Sequence, residues 1–200
     1  MEDHIAATFT AWGFEEVATP TFEYLATFGG GGRVSDSNFK FFDRQNNTLM
    51  LRTDMTAPIA RLVATRLQGE AGVKRLSYRA QLFRYEEAQS GRQCEFTQAG
   101  IEMMGEAGPA ADAEVIALAV TALQEAGLTH FTLSVGQVAF IDGLAKAAAF
   151  DIEQVQKFKH CLITHNAVGL KNLVREQHLA GPLAQVMEEL LFLQGDAKLL

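Results

Sequence analysis

The chain of 200 residues is long enough for one sizeable core, with 48% hydrophobic and 20% charged residues, the balance of an ordinary globular protein. A net charge of −7 argues against a surface whose main work is gripping a phosphate backbone. The two cysteines, Cys94 and Cys161, have no CxxC spacing, so neither a disulfide framework nor a zinc site is expected. His160 and His165 stand five apart, whereas a metal pair on a helix uses about three or four, so no metal is expected. No basic stretch followed by an apolar core opens the chain, and no apolar run reaches the ~20 residues of a membrane span. The expected location is the cytoplasm, with no membrane partner.

Residues 1–12 predict a helix with Ile5, Phe9 and Trp12 on one stripe, ended by Gly13. GFEEVATPTFEYL predicts a short strand leading into Thr19-Pro20, then a helix around Phe22–Phe28. The run Gly29–Gly32 reads as a loop, because phosphate cradles sit between a strand and a helix with Lys or Ser following. Lys40–Asp43 and Thr48–Leu51 predict a hairpin around Gln45-Asn46-Asn47. In LRTDMTAPIARLVATRL, Thr53 or Thr56 is the expected cap of a helix with Pro58 in its first turn and Ile59, Leu62 and Val63 inward. Asp54, just before that helix, reads equally as a capping aspartate or a ligand-binding one.

The most informative stretch is RLSYRAQLFRYEEAQSGRQCEFTQAGIEMMG, Arg75 to Gly105. Two β-rich arms, Arg75–Glu86 and Cys94–Met103, flank a polar turn with Ser90-Gly91, predicting a long antiparallel hairpin. Alternation puts Leu82, Arg84 and Glu86 on one face of the first arm and Phe96, Gln98, Gly100 and Glu102 on one face of the second. Pairing Arg84 opposite Phe96 would gather both sets on one open surface. A strand that only fills a core does not carry Arg, Glu, Gln and Glu on one face, so this reads as a binding site.

Pro109 to Ala126 predicts an amphipathic helix with Val115, Leu118, Ala119, Ala122 and Leu123 inward, stopped by Gly127. His130–Gly136 predicts a strand, and Gln137 to Leu200 reads as helical throughout. The expected organisation is therefore an α+β part over 1–136 and a helical segment or insertion over 137–200. Walker A, GxGxxG, GxSxG and HExxH motifs are absent from the sequence.

Arg84 is a planar cation suited to a carboxylate or phosphate. Asp54, Gln98 and Glu102 are acceptors suited to an ammonium group and an N–H-bearing ring. Glu86, Arg92 and Phe96 supply an acceptor for an exocyclic amine, a second cation and a flat apolar face. Together they match an amino acid beside a nucleotide.

The series GFEEVATPTFE, LRTDMTAP, LFRYEEAQSGRQCEFTQAGIE and DAEVIALAVTALQEAGL resembles the class II histidyl-tRNA synthetase catalytic domain. It is still more similar to a paralogous family, the regulatory subunits of ATP phosphoribosyltransferase. The resemblance runs from about Ile5 to Leu144, with the hairpin similar to class II motif 2 and Pro20 to the proline ending motif 1. It implies a class II synthetase-like antiparallel sheet flanked by helices, incomplete here, with a helical C-terminal segment. It implies a histidine pocket at Asp54, Thr56, Arg84, Gln98 and Glu102, a vestigial nucleotide site at Glu86, Arg92 and Phe96, no catalytic residue and no cofactor.

The resemblance to the regulatory family rests on three stretches. Synthetases usually carry a basic residue at Glu87 and an arginine at Cys94, and HFTLSVGQVAFIDGL and LRTDMTAPIARLVATRL are similar to the regulatory version. The implied partners are the short-form catalytic subunit and a second copy, in a hetero-oligomer with histidine as effector and no tRNA. The alternative is a histidyl-tRNA synthetase fragment, which would activate histidine with ATP and charge tRNA. Both families continue past residue 200, so the chain is expected to hold the N-terminal part of such a protein.

Overall fold

The computed structural model describes residues 1–28, 38–85, 91, 93–193 and 195. They form two compact units, Met1–Phe131 and Thr132–Leu200. The stretch 130–136, expected as a strand, forms none. A strand is satisfied only by a partner's backbone groups, and no described strand pairs with this stretch. Leu133 and Val135 are correspondingly exposed.

In the first unit, α1 (Glu2–Ala11) ends at Gly13, whose φ of +80° is the left-handed conformation glycine adopts without strain. The predicted hairpin is β5 (Lys74–Phe83) and β6 (Glu95–Met104), antiparallel over its full length. The short parallel strand β1 (Glu15–Glu16) adds to β5, giving the order β1-β5-β6. Alternation decides what each face of the hairpin packs against. Leu76, Tyr78, Ala80 and Leu82 are buried with Met55 and Ile59, which belong to α3 (Thr56–Arg66) and the residue before it. On the other face Ala99, Ile101 and Met103 meet Phe9, Phe14, Leu118 and Ala122, the last two from α4 (Pro109–Glu125). Val115, Ala119 and Leu123, expected inward on α4, are exposed. Only Leu118 and Ala122 of that predicted stripe are buried.

The register differs from the expected one. Leu82, not Arg84, lies opposite Phe96, and the Arg84 N–H donates to the Cys94 carbonyl at 2.9 Å. A two-residue slip leaves every side chain on its face, because strand periodicity is two. The polar set therefore still shares one side. That side is not open along its length, since α3 covers it and Leu82 is fully buried.

A second sheet orders β2 (Phe22–Tyr24), β4 (Thr48–Leu51) and β3 (Lys40–Phe42), all antiparallel. The helix expected around Phe22–Phe28 exists only as the turn α2 (Leu25–Phe28). Residues 22–24 are instead claimed by β4, with Glu23 turned inward to pair with Arg61 of α3. Arg52, buried at the end of β4, donates to the carbonyls of Thr19 (2.8 Å) and Gln81 (2.9 Å), tying this sheet to the hairpin. Burial lowers its pKa from the ordinary arginine value, and the nearby Glu23 carboxylate opposes that shift.

The second unit is helical: α5 (Val138–Ala147), α6 (Ile152–Ile163), α7 (Ala167–Glu176), α8 (Gly181–Glu189) and a 3₁₀ turn, Leu190–Phe192. Its core gathers Ala145, Phe158, Cys161, Leu170, Leu173, Val174 and Met187. Asp151 and Gln154 close a reciprocal capping box at the start of α6, and Asn166 caps α7. No helix among the described residues is long and apolar enough to cross a membrane.

Candidate functional site

The site lies where the start of α3 meets the polar residues of β6. Neither Thr53 nor Thr56 caps the helix as expected. Asp54 does so, its Oδ1 accepting the Ala57 N–H at 3.2 Å while Oδ2 accepts from the Thr53 hydroxyl at 3.3 Å. Thr56 uses its hydroxyl elsewhere, donating to Glu102 Oε1 at 2.7 Å. Packing of Ile59 and Met55 against Leu76 and Leu82 fixes α3 on the hairpin, so that this bond joins residues far apart in sequence. One carboxylate oxygen of Glu102 is thereby held.

Gln98 faces the same side, four residues back along β6. Its Oε1 is buried and has no hydrogen-bond partner among the described residues. Leaving a buried acceptor unmade costs about 1–3 kcal/mol, which makes this atom the natural place for a donor from outside the chain. Arg84 stands at the outer end of the hairpin. Its Nε donates to the Thr53 carbonyl at 3.0 Å, and its guanidinium carbon lies 5.2 Å from the centre of the Phe96 ring. Among the described residues no carboxylate pairs with Arg84, whose planar fork is suited to an anion.

The structure therefore brings Asp54, Thr56, Arg84, Phe96, Gln98 and Glu102 to one side of the hairpin and the start of α3. Glu86 and Arg92, expected beside them, lie outside the described residues, as do Glu87 and the glycine run. Sequence reasoning missed Tyr78. It lies opposite Gly100, and a β-carbon on Gly100 would fall 2.5 Å from the Tyr78 hydroxyl oxygen and 2.6 Å from the ring carbon bearing it. Gly100 is the floor on which this ring rests. Burial raises the Tyr78 pKa above the ordinary phenol value, and the Glu102 and Asp54 carboxylates raise it further. The signal available in the sequence was a glycine inside a strand, which marks close approach of another group.

An open groove of about 530 Å³ lies toward the other end of α3, lined by Val17, Leu62, Leu67, Glu70, Lys74 and Leu76 among others. Its Lys74 and Glu70 pair with each other at 3.1 Å, so it offers no comparable set of available polar groups. Among the described residues no group of three or more His, Cys, Asp or Glu side chains could hold a metal ion.

Comparison with known proteins gives a consistent result. A family profile described as histidyl-tRNA synthetase matches residues 1–200. An ATP phosphoribosyltransferase regulatory subunit of Moorella thermoacetica is 44% identical over 98% of this chain and 51% of its own length. The chain thus spans about half the length of the curated relatives it matches. The crystal structure of an ATP phosphoribosyltransferase regulatory subunit/histidyl-tRNA synthetase from Bacillus halodurans is 36% identical, with a TM-score of 0.88 over 98% of this chain and 51% of that one. Apo histidyl-tRNA synthetase from S. aureus is 28% identical, with a TM-score of 0.54 over 64% of this chain and 34% of that one.

Proposed function

The chain belongs to the histidyl-tRNA synthetase family, and we propose that within it the protein is a non-catalytic regulatory subunit of ATP phosphoribosyltransferase. In this reading the synthetase fold supplies a sensor for free histidine, through which the first step of histidine biosynthesis is inhibited. The partner is the short-form catalytic subunit, which performs the phosphoribosyl transfer. The protein forms a homodimer within that hetero-oligomer, in the cytoplasm, and takes no tRNA. The regulatory reading is supported by the higher identity to the regulatory subunit of Moorella thermoacetica, 44%, than to the synthetase from S. aureus, 28%.

One observation carries the sensor: the buried Gln98 oxygen, unpartnered among the described residues, on the strand face that also presents Glu102. Histidine brings a carboxylate, an ammonium and an imidazole. Arg84 takes the carboxylate, Gln98 with Asp54 takes the ammonium, and Glu102, oriented by Thr56, takes a ring N–H. Phe96 supports the Arg84 guanidinium from below. With Glu86 and Arg92 it marks a vestigial nucleotide site.

The test is reconstitution of the intact protein with its catalytic subunit. Histidine should inhibit phosphoribosyl transfer by the complex, and the intact protein alone should show no histidine-dependent pyrophosphate–ATP exchange. Robust exchange, or charging of tRNA, would contradict the proposal.

A further inference from the structure

Glu23 is a buried carboxylate that the assignments above leave unused. On β2 its neighbours Phe22 and Tyr24 are half exposed on one face of the sheet, while Glu23 turns to the other face, toward α3. One of its oxygens takes the Arg61 guanidinium, and the other makes no hydrogen bond among the described residues. Its charge also reaches the buried Arg52, opposing the fall in pKa that burial imposes there. A carboxylate withdrawn from water needs such partners to keep its charge. Here they are two arginines on two different pieces of chain.

Those two pieces carry half of the pocket. Arg61 belongs to α3, whose first turn presents Thr56 to Glu102. Ile59, buried against the hairpin, is two positions before Arg61, which puts them about 160° apart around the helix. The hairpin thus holds α3 from one side and Glu23 from the other, fixing its rotation as well as its position. Arg52 opens the segment that carries Asp54. Its side chain donates to the Thr19 and Gln81 carbonyls, and its own carbonyl accepts the Phe83 N–H at 3.0 Å. We propose that Glu23 is a positioning residue of the histidine pocket, acting through Arg61 on Thr56 and Glu102 and through Arg52 on Asp54. This rests on the histidine-sensor reading and extends it: the second sheet, which supplies none of the groups assigned to histidine, sets the affinity of the pocket.

The experiment is calorimetric titration of the intact protein with L-histidine, parent against R61M, R61K and E23Q, with thermal unfolding to check that each variant is folded. The Arg61 side chain is partly exposed, so R61M decides if E23Q, which leaves Arg52 buried without its counter-charge, does not fold. Histidine affinity should fall about 10-fold in R61M and in E23Q. R61K keeps the charge and should retain most of the affinity. Thr56→Val completes a double-mutant cycle with R61M. If Arg61 acts through the first turn of α3, the double variant should bind about as weakly as R61M alone, because both changes release the same carboxylate. Unchanged histidine affinity in R61M overturns the proposal, as do losses that multiply in the double variant, the pattern of two unrelated effects. The E102Q variant separates the two readings. Weakened binding in E102Q with parental affinity in R61M leaves the sensor standing and removes Glu23 from it, whereas no binding of histidine by the parent protein overturns both.

Discussion

Glu102 and Thr56 show how much of the site is built before any ligand arrives. The 2.7 Å bond between them holds a carboxylate that would otherwise rotate freely, and it is made by a residue in the first turn of α3. Replacing Thr56 by Val keeps the shape and removes the donor. Histidine affinity should fall a few-fold, on the order of 1 kcal/mol, with unfolding little changed; unaltered affinity would mean that Glu102 is oriented by something else. Gly100 makes the complementary case. Gly100→Ala puts a methyl group within 2.6 Å of a ring carbon of a buried tyrosine, so the ring or the strand must shift. The expected cost is about 1–3 kcal/mol, the usual range for overpacking, measurable by urea unfolding, and a variant as stable as the parent would show that Tyr78 has room to move. At this scale the sequence was readable where polarity broke the pattern. Arg84, Gln98 and Glu102 are conspicuous on a strand. Tyr78 was not, because an aromatic residue in a strand reads first as core, and only its partner across the ladder reveals what it touches.

Among the elements, α3 and the hairpin are the pair that sets the geometry. Ile59 is fully buried against the face carrying Leu76 and Leu82, one turn on from Thr56. Ile59→Ala should cost about 2–5 kcal/mol of stability and should also weaken histidine binding, since the turn that orients Glu102 loses its support. A loss of stability with binding intact would separate the two roles. The hairpin β3–β4 gives a pH test. The Asp43 carboxylate accepts from the Asn47 side chain and from the backbone N–H groups of Asn47 and Gln45, which hold its pKa below the ordinary 3.8. A depressed carboxylate stabilises the fold above its unfolded pKa and stops doing so as pH falls through the folded one. Unfolding curves of the parent and of Asp43→Ala should therefore differ at neutral pH and converge below about pH 4; a constant gap would contradict this. The long hairpin was legible because alternation over ten-residue arms has no helical counterpart. β2 was not, because Phe-Glu-Tyr fits either period and only β4 decides it. The stretch 130–136 has a strand's composition and no described strand beside it, and composition alone cannot supply a ladder.

For the whole molecule, composition and charge excluded a good deal and identified little. The family came from motifs concentrated in the hairpin and the segment ahead of α3, the same places where the polar groups converge. The two compact units have separate cores, and every residue assigned to histidine belongs to the first. The central claim is that the hairpin surface senses histidine, and calorimetric titration of the intact protein with L-histidine, parent against Glu102→Gln, tests it most directly. The substitution keeps volume and removes the charge that faces the ring N–H. Saturable binding by the parent, weakened at least ~10-fold in the variant, or about 1.4 kcal/mol, with assembly of the complex intact, is the predicted result. Equal affinity of the two proteins for histidine would contradict it.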